Sequence, residues 1–427
     1  MIQQQTEITL PHSVRPGKEN SYWYLYVLLF VTINWRIVPF DAAMRIPFVL
    51  LTVFALWHIG YFMKKKYLLL WFWVVWAMYM FVNTWVAGLN PYTFRHGLFD
   101  LAVKLLMPCE LLFLIVRLFE LNPKKTVNVA LITVAVKCII FILLGDYRIS
   151  SLGSDRWMNT EAVNINEVGL TMVICEWLVI LWANRKDHPL PGMLKLGLLL
   201  FLMVCVILTA SRTSFFAFAF VLIASIVAKM NLKSASTYLF LFLLVPCVFF
   251  FSSFVINETV LGERILGTSD DVVRLVGENF LTRIMGDRSV YYIEGARIFS
   301  EYPWCGVGFY NYMLYNTISS HICHVDYIIQ VAEGGIIGSF LYMLFYFGLI
   351  HNAYKRFLKA GERSRDFVYL LGVLMILVMN FATFTCYRPI YFIVLGIAIG
   401  YTLTDPEHFG KEESAPAGAP VPQKSLS

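Results

Sequence analysis

Residues 324–350 read H-V-D-Y-I-I-Q-V-A-E-G-G-I-I-G-S-F-L-Y-M-L-F-Y-F-G-L-I. From residue 327 to 350 the run is nearly all apolar and long enough to cross a bilayer, which takes about 20 residues of helix. A histidine and an aspartate open it, and an acid followed by two glycines lies within it. Upstream, residues 288–309 read R-S-V-Y-Y-I-E-G-A-R-I-F-S-E-Y-P-W-C-G-V-G-F. They belong to a polar loop, 257–323, that interrupts an otherwise apolar chain. The loop delivers an arginine, Arg288, and a histidine, His324, to the edge of a membrane span.

The chain has 427 residues, 59% hydrophobic and 15% charged, where a soluble domain carries roughly a quarter charged residues. Apolar runs recur along nearly its whole length. They predict an all-α polytopic membrane protein of about twelve spans, at 22–39, 46–63, 67–89, 101–119, 126–145, 163–184, 196–210, 214–230, 237–256, 327–350, 367–384 and 390–403. Only a tight turn at Ser211 separates the seventh and eighth. Residues 1–403 read as one transmembrane domain, with the loop 257–323 carrying part of the active site. The tail, 404–427, is rich in Pro, Ala, Ser and Glu and reads as a disordered cytoplasmic extension. Residues 1–20 are polar and lack a signal-peptide pattern.

The basic residues test this layout. Lys64, Lys65 and Lys66, then Lys124 and Lys125, Arg185 and Lys186, Lys229 and Lys233, and Lys355 through Arg365 fall in alternate loops. Enrichment in Lys and Arg marks cytoplasmic loops. Both termini are therefore expected in the cytoplasm, and the large loop, which has arginines and acids but no lysine, outside it. The net charge of +6 is spread over these short loops, so no nucleic-acid partner is expected. Cys109, Cys138, Cys175, Cys205 and Cys247 fall in apolar runs and read as small hydrophobes. Cys305 and Cys323 share the loop, which leaves a disulfide between them open. Trp71, Phe72, Trp73 and Trp76 open the third span and read as an interfacial belt in contact with lipid.

Ionisable groups at membrane depth are costly and usually face a cavity or the bundle interior. Arg212 in L-T-A-S-R-T-S, Arg288, His324 and Arg388 in T-C-Y-R-P all fall on the outer side; Arg36 and Arg45 are weaker candidates. A guanidinium stays charged when partly desolvated and grips phosphate oxygens in a fork. Aimed at a departing diphosphate, it stabilises charge that grows in the transition state. Each arginine taken alone could instead snorkel to the interface. An imidazole can take the proton of a sugar hydroxyl as bonding develops, and Asp326 or Glu333 could orient it. Glu333, however, lies more than two helical turns from His324, and beside Gly334 and Gly335 it reads as packing polarity. His321, His324 and Cys323 lack a second ligand cluster, so no metal and no cofactor is expected. The turn at residues 303–308 is glycine-rich, permitting tight backbone and close ligand approach. No phosphate-binding G-x-x-x-x-G-K-[ST] loop or dinucleotide-fold context occurs.

Arg288-x3-Tyr292, Pro303-x2-Gly306-Val307-Gly308, and His324-x-Asp326-Tyr327 with Glu333 and Gly335, in that order, resemble the O-antigen ligase and O-antigen polymerase superfamily. The segment around Arg212 resembles that family's preceding membrane arginine motif, and Asn164-Ile165-Asn166-Glu167 resembles the N-x-N at the start of an earlier span. The resemblance implies a GT-C-like helical fold in the bacterial inner membrane, with a large outer loop closing over a lipid-facing cavity. It implies metal-independent transfer of a glycan from a polyprenyl (undecaprenyl) diphosphate donor. Arg212 and Arg288 would bind the diphosphate and His324 would activate the acceptor. Arg388, Asp326, Tyr292, Asn166, Gly306 and Gly308 complete the expected binding residues. Tyr292 replaces the usual Trp, and Val325 the usual Asn. The acceptor is a second lipid-linked glycan for a polymerase, the favoured reading, or a lipid A-core sugar for a ligase. Membrane lipid and a chain-length regulator are the other expected partners. A transporter or a lipid-glycan binding protein is the alternative class. It would place charges near the bilayer midplane, and Lys137, with no partner evident in the sequence, is the one such feature.

Overall fold

The structure is a computed structural model, and it describes residues 22–34, 45–143, 146–147, 158–159, 165–184, 191–230, 289–318, 323, 325–359, 363–381 and 383–404. The expected ninth span (237–256), loop residues 257–288, the tail beyond 404, and Arg36, Asn164, Arg288, His321 and His324 lie outside the described residues.

Every other expected span falls on a helix. In chain order these are α1 (Trp23–Asn34), α2 (Arg45–Trp57) continued by a short α3 (Ile59–Phe62), α4 (Leu68–Ala87), α5 (Leu98–Leu121), α6 (Pro123–Leu143), α7 (Ile165–Ala183), α8 (Gly192–Leu208) and α9 (Arg212–Val227). The loop contributes α10 (Ser289–Glu301) and a single turn, α11 (Tyr312–Tyr315). Then follow α12 (Asp326–Lys359), α13 (Arg363–Asn380) and α14 (Pro389–Leu403). The strands described are two-residue pieces, Asp146–Tyr147 paired antiparallel with Met158–Asn159. Four helices, counting the turn before α4 with it, are long and apolar enough to cross a membrane: Lys65–Ala87, α6, α7 and α12. The protein is thus an all-α membrane protein.

Two helices form the centre. α7 and α14 are buried along nearly their whole lengths, as expected of helices that are apolar all round. α14 packs closely on α5 along a seam of small residues. A Cβ at Gly396 would lie 2.6 Å from Ile115, and one at Gly400 would lie 2.8 Å from Phe119. Where lipid is as apolar as leucine, close backbone approach of this kind drives helix association. The outward faces carry exposed apolar side chains such as Trp57, Val86 and Met193, the surface a bilayer covers.

Polar contacts sort the helix ends into two groups. At one end Lys66 pairs with Glu120 at 2.7 Å, the Lys125 ammonium lies 4.8 Å from the Tyr26 ring, Lys229 donates to Asn184, and the Arg356 guanidinium lies 5.2 Å from the Tyr401 ring. The opposite end holds the chain between α4 and α5, the α8–α9 turn, α10 and the turn before α14.

Two expectations about single residues are corrected. Trp73 and Trp76 are fully buried rather than lipid-facing. Trp73 packs against Tyr342, Phe345 and Phe392, and Trp76 donates its indole N–H to Gln330 at 2.9 Å. A buried indole needs such an acceptor. Lys137 is not without a partner: its ammonium donates to the Ile33 carbonyl at 3.3 Å. Cys305 and Cys323 are both free thiols, the first exposed and the second buried.

The α5–α14 seam generates a test. Gly396→Ala overpacks Ile115 and should destabilise the protein by about 1–3 kcal/mol. Gly197→Ala on α8, where no atom lies within 4 Å of the added methyl, should be tolerated. Thermal unfolding of both variants in detergent would show the contrast.

Candidate active site

The site is organised by a break in α12. Gly335 has φ 61 and ψ −160, outside helical geometry, so the backbone ladder stops there. The turn that follows α10 fills the gap. The amides of Val307 and Gly308 donate to the freed carbonyls of Ala332 and Glu333 at 3.1 and 2.9 Å. The freed amides of Ile336 and Ile337 donate to the carbonyls of Pro303 and Trp304 at 2.8 and 3.2 Å. Side chains of α4 complete the set: the Tyr79 hydroxyl donates to the Gly334 carbonyl at 2.9 Å, and the Asn83 amide to the carbonyls of Cys305 and Glu333 at 2.6 and 3.1 Å. Glycine is required on both sides of the joint. A Cβ at Gly335 would sit 2.4 Å from the Trp304 carbonyl oxygen, and one at Gly306 would sit 2.5 Å from the Glu333 carbonyl carbon. Gly306 and Gly308, expected to permit close ligand approach, here permit close approach of backbone to backbone.

Glu333 extends the joint into the loop. Its buried carboxylate accepts from the amides of Tyr310 at 2.8 Å and Tyr312 at 3.0 Å. The Tyr310 carbonyl accepts from Asn90 at 2.8 Å, the Phe309 amide donates to Thr84 at 2.7 Å, and Asn311 donates to the Gly88 and Val307 carbonyls at 2.8 Å each. The segment onward is tied to α10. Glu294 accepts from the Thr317 amide at 3.0 Å and its hydroxyl at 3.1 Å, and Arg297 pairs with Glu294 and Glu301 at 3.0 and 2.7 Å. Burial alone would raise the Glu294 carboxyl. Its bonds from Arg297 and Thr317 outweigh that and hold it below the ordinary carboxylate range.

The chain then enters α12 through Cys323 and Val325, both fully buried on either side of position 324. Asp326 is also fully buried. Its Oδ2 accepts from the Thr385 amide and hydroxyl at 3.1 and 2.6 Å and from the Tyr342 hydroxyl at 3.1 Å. Its Oδ1 is buried with no hydrogen-bond partner among the described residues. The turn before α14 is where the expected residues meet. Tyr292 on α10 donates its hydroxyl to the Phe381 carbonyl at 3.4 Å. Tyr327 packs on Phe381 at 4.8 Å, and Tyr310 packs on Tyr387 at 5.3 Å. Arg388, buried, forms an ion pair with Glu167 of α7. Asn166, half-buried, is the residue before Glu167.

Arg212 opens α9 and is half-buried. The Ser211 hydroxyl caps the helix and bonds the Ser214 hydroxyl at 2.9 Å. Gly169 of α7 presses on this turn, where a Cβ would lie 2.5 Å from Ser214 Oγ. Gly169 is three residues beyond Asn166, one helical turn along the same face. The N-termini of α7, α9 and α12 and the turn before α14 therefore belong to one end of the bundle, opposite the lysine-rich end. Arg45, the weaker candidate, lies with its guanidinium 5.4 Å from the Phe99 ring.

Four residues of this end were not singled out in the sequence. Glu167 was quoted only as part of a motif, Thr385 and Tyr310 carried no signal, and Lys104 lies inside an apolar run. The ammonium of Lys104 is 4.6 Å from the Tyr310 ring and 5.7 Å from that of Tyr387.

Removing the Glu333 carboxylate strands two buried amides, each worth about 1–3 kcal/mol when left unsatisfied. Glu333→Ala should therefore lower the unfolding temperature and expose residues 309–318 to limited proteolysis. Glu333→Gln, which keeps an acceptor oxygen, should be milder. Equal behaviour of the two variants and the parent would contradict the clamp.

Residues 196–343 match the family model described as O-antigen ligase; no curated protein matches the chain. The matched segment runs from α8 past the break in α12, and so takes in Arg212, the 303–308 turn, Asp326 and the Glu333–Gly335 joint. The likeness to that family is over residues 196–343, about a third of the chain.

Proposed function

We infer that the protein is a bacterial inner-membrane glycosyltransferase of surface-polysaccharide assembly. It moves a glycan from a polyprenyl diphosphate carrier to a sugar hydroxyl, and its reaction is the joining of lipid-linked repeat units. The observation that carries this reading is the gathering of the matched segment's motifs, with Asn166 and Arg388, at a single end of the bundle.

The chemistry follows from the residue types. The acceptor oxygen attacks the anomeric carbon while His324 takes its proton. The bond from that carbon to the diphosphate oxygen breaks, and the leaving diphosphate keeps the electron pair. Arg212, Arg288 and Arg388 meet the charge that develops on it. Attack opposite the leaving group inverts the anomeric centre, and no metal is needed. Asp326, two residues after His324, has a buried oxygen with no hydrogen-bond partner among the described residues, which supports a role in orienting the imidazole. The Arg388–Glu167 pair supports a fixed rather than snorkelling guanidinium, because a buried charge holds its place when paired.

The positions of the lysines support the orientation. The end that collects Lys66, Lys125 and Lys229 is the cytoplasmic one, so both termini are cytoplasmic and the site faces outward. The helices coinciding with the expected spans support about twelve crossings in a GT-C-like arrangement. A ligase acting on a lipid A-core sugar is the second reading, favoured by the description of the matched family. Lys137, held by a backbone carbonyl, lends no weight to a transporter.

Purified protein supplied with a defined diphosphate-linked oligosaccharide tests the reading. Lengthening of the donor alone is the expected result, and capping of an added core acceptor means ligase. His324→Ala should cut turnover by about 10²–10⁴-fold without loss of folded protein. Turnover that persists in this variant, or that stops on adding a chelator, contradicts the mechanism.

A further inference from the structure

The turn between α3 and α4, at the lysine-rich end of the bundle, gathers three cations around one ring. The Arg117 guanidinium of α5 lies 4.1 Å from the centroid of the Tyr61 ring, and the ammonium groups of Lys64 and Lys66 lie 5.1 and 5.8 Å from it. Aromatic faces hold cations in place without cancelling their charge. The acid at this place is Glu120, which pairs with Lys66 at 2.7 Å and accepts from the hydroxyls of Tyr61 at 3.0 Å and Tyr67 at 2.7 Å. Among the described residues Arg117 and Lys64 have no carboxylate partner, and the buried Nε of Arg117 has no acceptor. Three positive charges thus meet one negative charge.

The turn that carries them is built into the fold. The Trp71 indole N–H donates to the Phe62 carbonyl at 2.9 Å. Phe62, buried, packs on Phe113 of α5 at 4.6 Å and on Tyr67 at 5.2 Å, and Tyr61 packs on Tyr67 at 5.3 Å. With both tyrosine hydroxyls on Glu120, the ring that the cations share is fixed. A lysine that only snorkels to the interface needs no such frame, and Arg117 is half-buried. The flanks of the turn are apolar and exposed: Trp57, Met63 and Leu68 are 84, 68 and 53% exposed. The cations therefore stand where hydrocarbon meets headgroups, the level that tryptophan favours.

The geometry points to this cluster as a binding site for the phosphate group of an anionic phospholipid, with Arg117 and Lys64 as its ligands and Tyr61 as the residue that positions them. Arginine offers phosphate a planar fork and lysine a point charge with three donors. Basic pockets between helix ends are suited to such headgroups. A zwitterionic headgroup brings a cation of its own, which the three charges repel; a headgroup of net negative charge does not. Acyl chains against Trp57, Met63 and Leu68 add contacts that a free phosphate lacks. The bound lipid would tie the α3–α4 turn to α5 by neutralising charges of both. This inference is independent of the reaction proposed above, whose site lies at the other end of the bundle.

The test uses the full chain purified in a non-ionic detergent and titrated with phosphatidylglycerol or phosphatidylcholine, with bound lipid counted by native mass spectrometry. Phosphatidylglycerol should bind the more tightly, and inorganic phosphate should not displace it. Arg117→Gln combined with Lys64→Gln should weaken phosphatidylglycerol at least about tenfold, the loss expected for one charge-assisted hydrogen bond, and leave phosphatidylcholine as it was. Lys355→Gln removes an exposed lysine of the same end and should change neither. If the double variant is not recovered as folded protein, Lys64→Glu, which reverses an exposed charge, takes its place with the same expectation. A variant that binds phosphatidylglycerol like the parent, or a parent that binds the two lipids equally, overturns the inference. An equal loss in Lys355→Gln reduces the effect to net charge and overturns it as well, and displacement by inorganic phosphate overturns the lipid as the occupant.

Discussion

A helix broken inside a bilayer frees amides and carbonyls that have no water to turn to, so other protein groups must satisfy them. In this protein the break at Gly335 is filled by the backbone of residues 303–308, with Tyr79 and Asn83 of α4 closing the remaining positions. The loop and the span are consequently one structural unit. Glu333, the last residue but one before the break, holds the next stretch of loop by its amides. Glu294 and Arg297 hold the stretch after that. The described stretch of the loop, residues 289–318, is thus tied to α4, to α12 and to itself.

This divides the labour among residues that look alike in sequence. The motif glycines Gly306 and Gly335 serve backbone contact between two segments. Glu333 is spent on the loop amides, while one Asp326 oxygen has no hydrogen-bond partner among the described residues. Arg388 is paired with Glu167, and that pair joins α7 to the turn before α14 across the interior. Such a pair has a large desolvation penalty. In the function proposed here, the pair would hold a cation at a set position until an anionic ligand arrives.

The helices were legible because long apolar runs in a chain this poor in charge form them; among the described residues most helix ends fell within a few residues of the expected limits, although α12 runs nine residues past residue 350. The interior was less legible, since its contacts join segments far apart in the chain. Aromatic enrichment at the start of a span is the same whether the rings face lipid or protein, and nothing near Trp76 announces Gln330 as its acceptor. Glu333 was measured against His324 along one helix, whereas its partners come from a loop folded back on that helix. Lys104 carried no signal because the rings it meets, Tyr310 and Tyr387, come from a loop and a turn far along the chain. Glu167 had a readable signal, an acid at the start of an apolar run, but its counter-ion lies in another turn altogether.

The central claim is that the joint between residues 303–308 and the broken helix lies on the extracytoplasmic side of the membrane, where the proposed carrier presents its diphosphate. Cys305 sits in that joint as an exposed free thiol. With the other cysteines replaced by serine or alanine, a membrane-impermeant maleimide applied to intact spheroplasts should label Cys305 without permeabilisation. Labelling that appears only after the membrane is opened would place the joint in the cytoplasm and contradict the account.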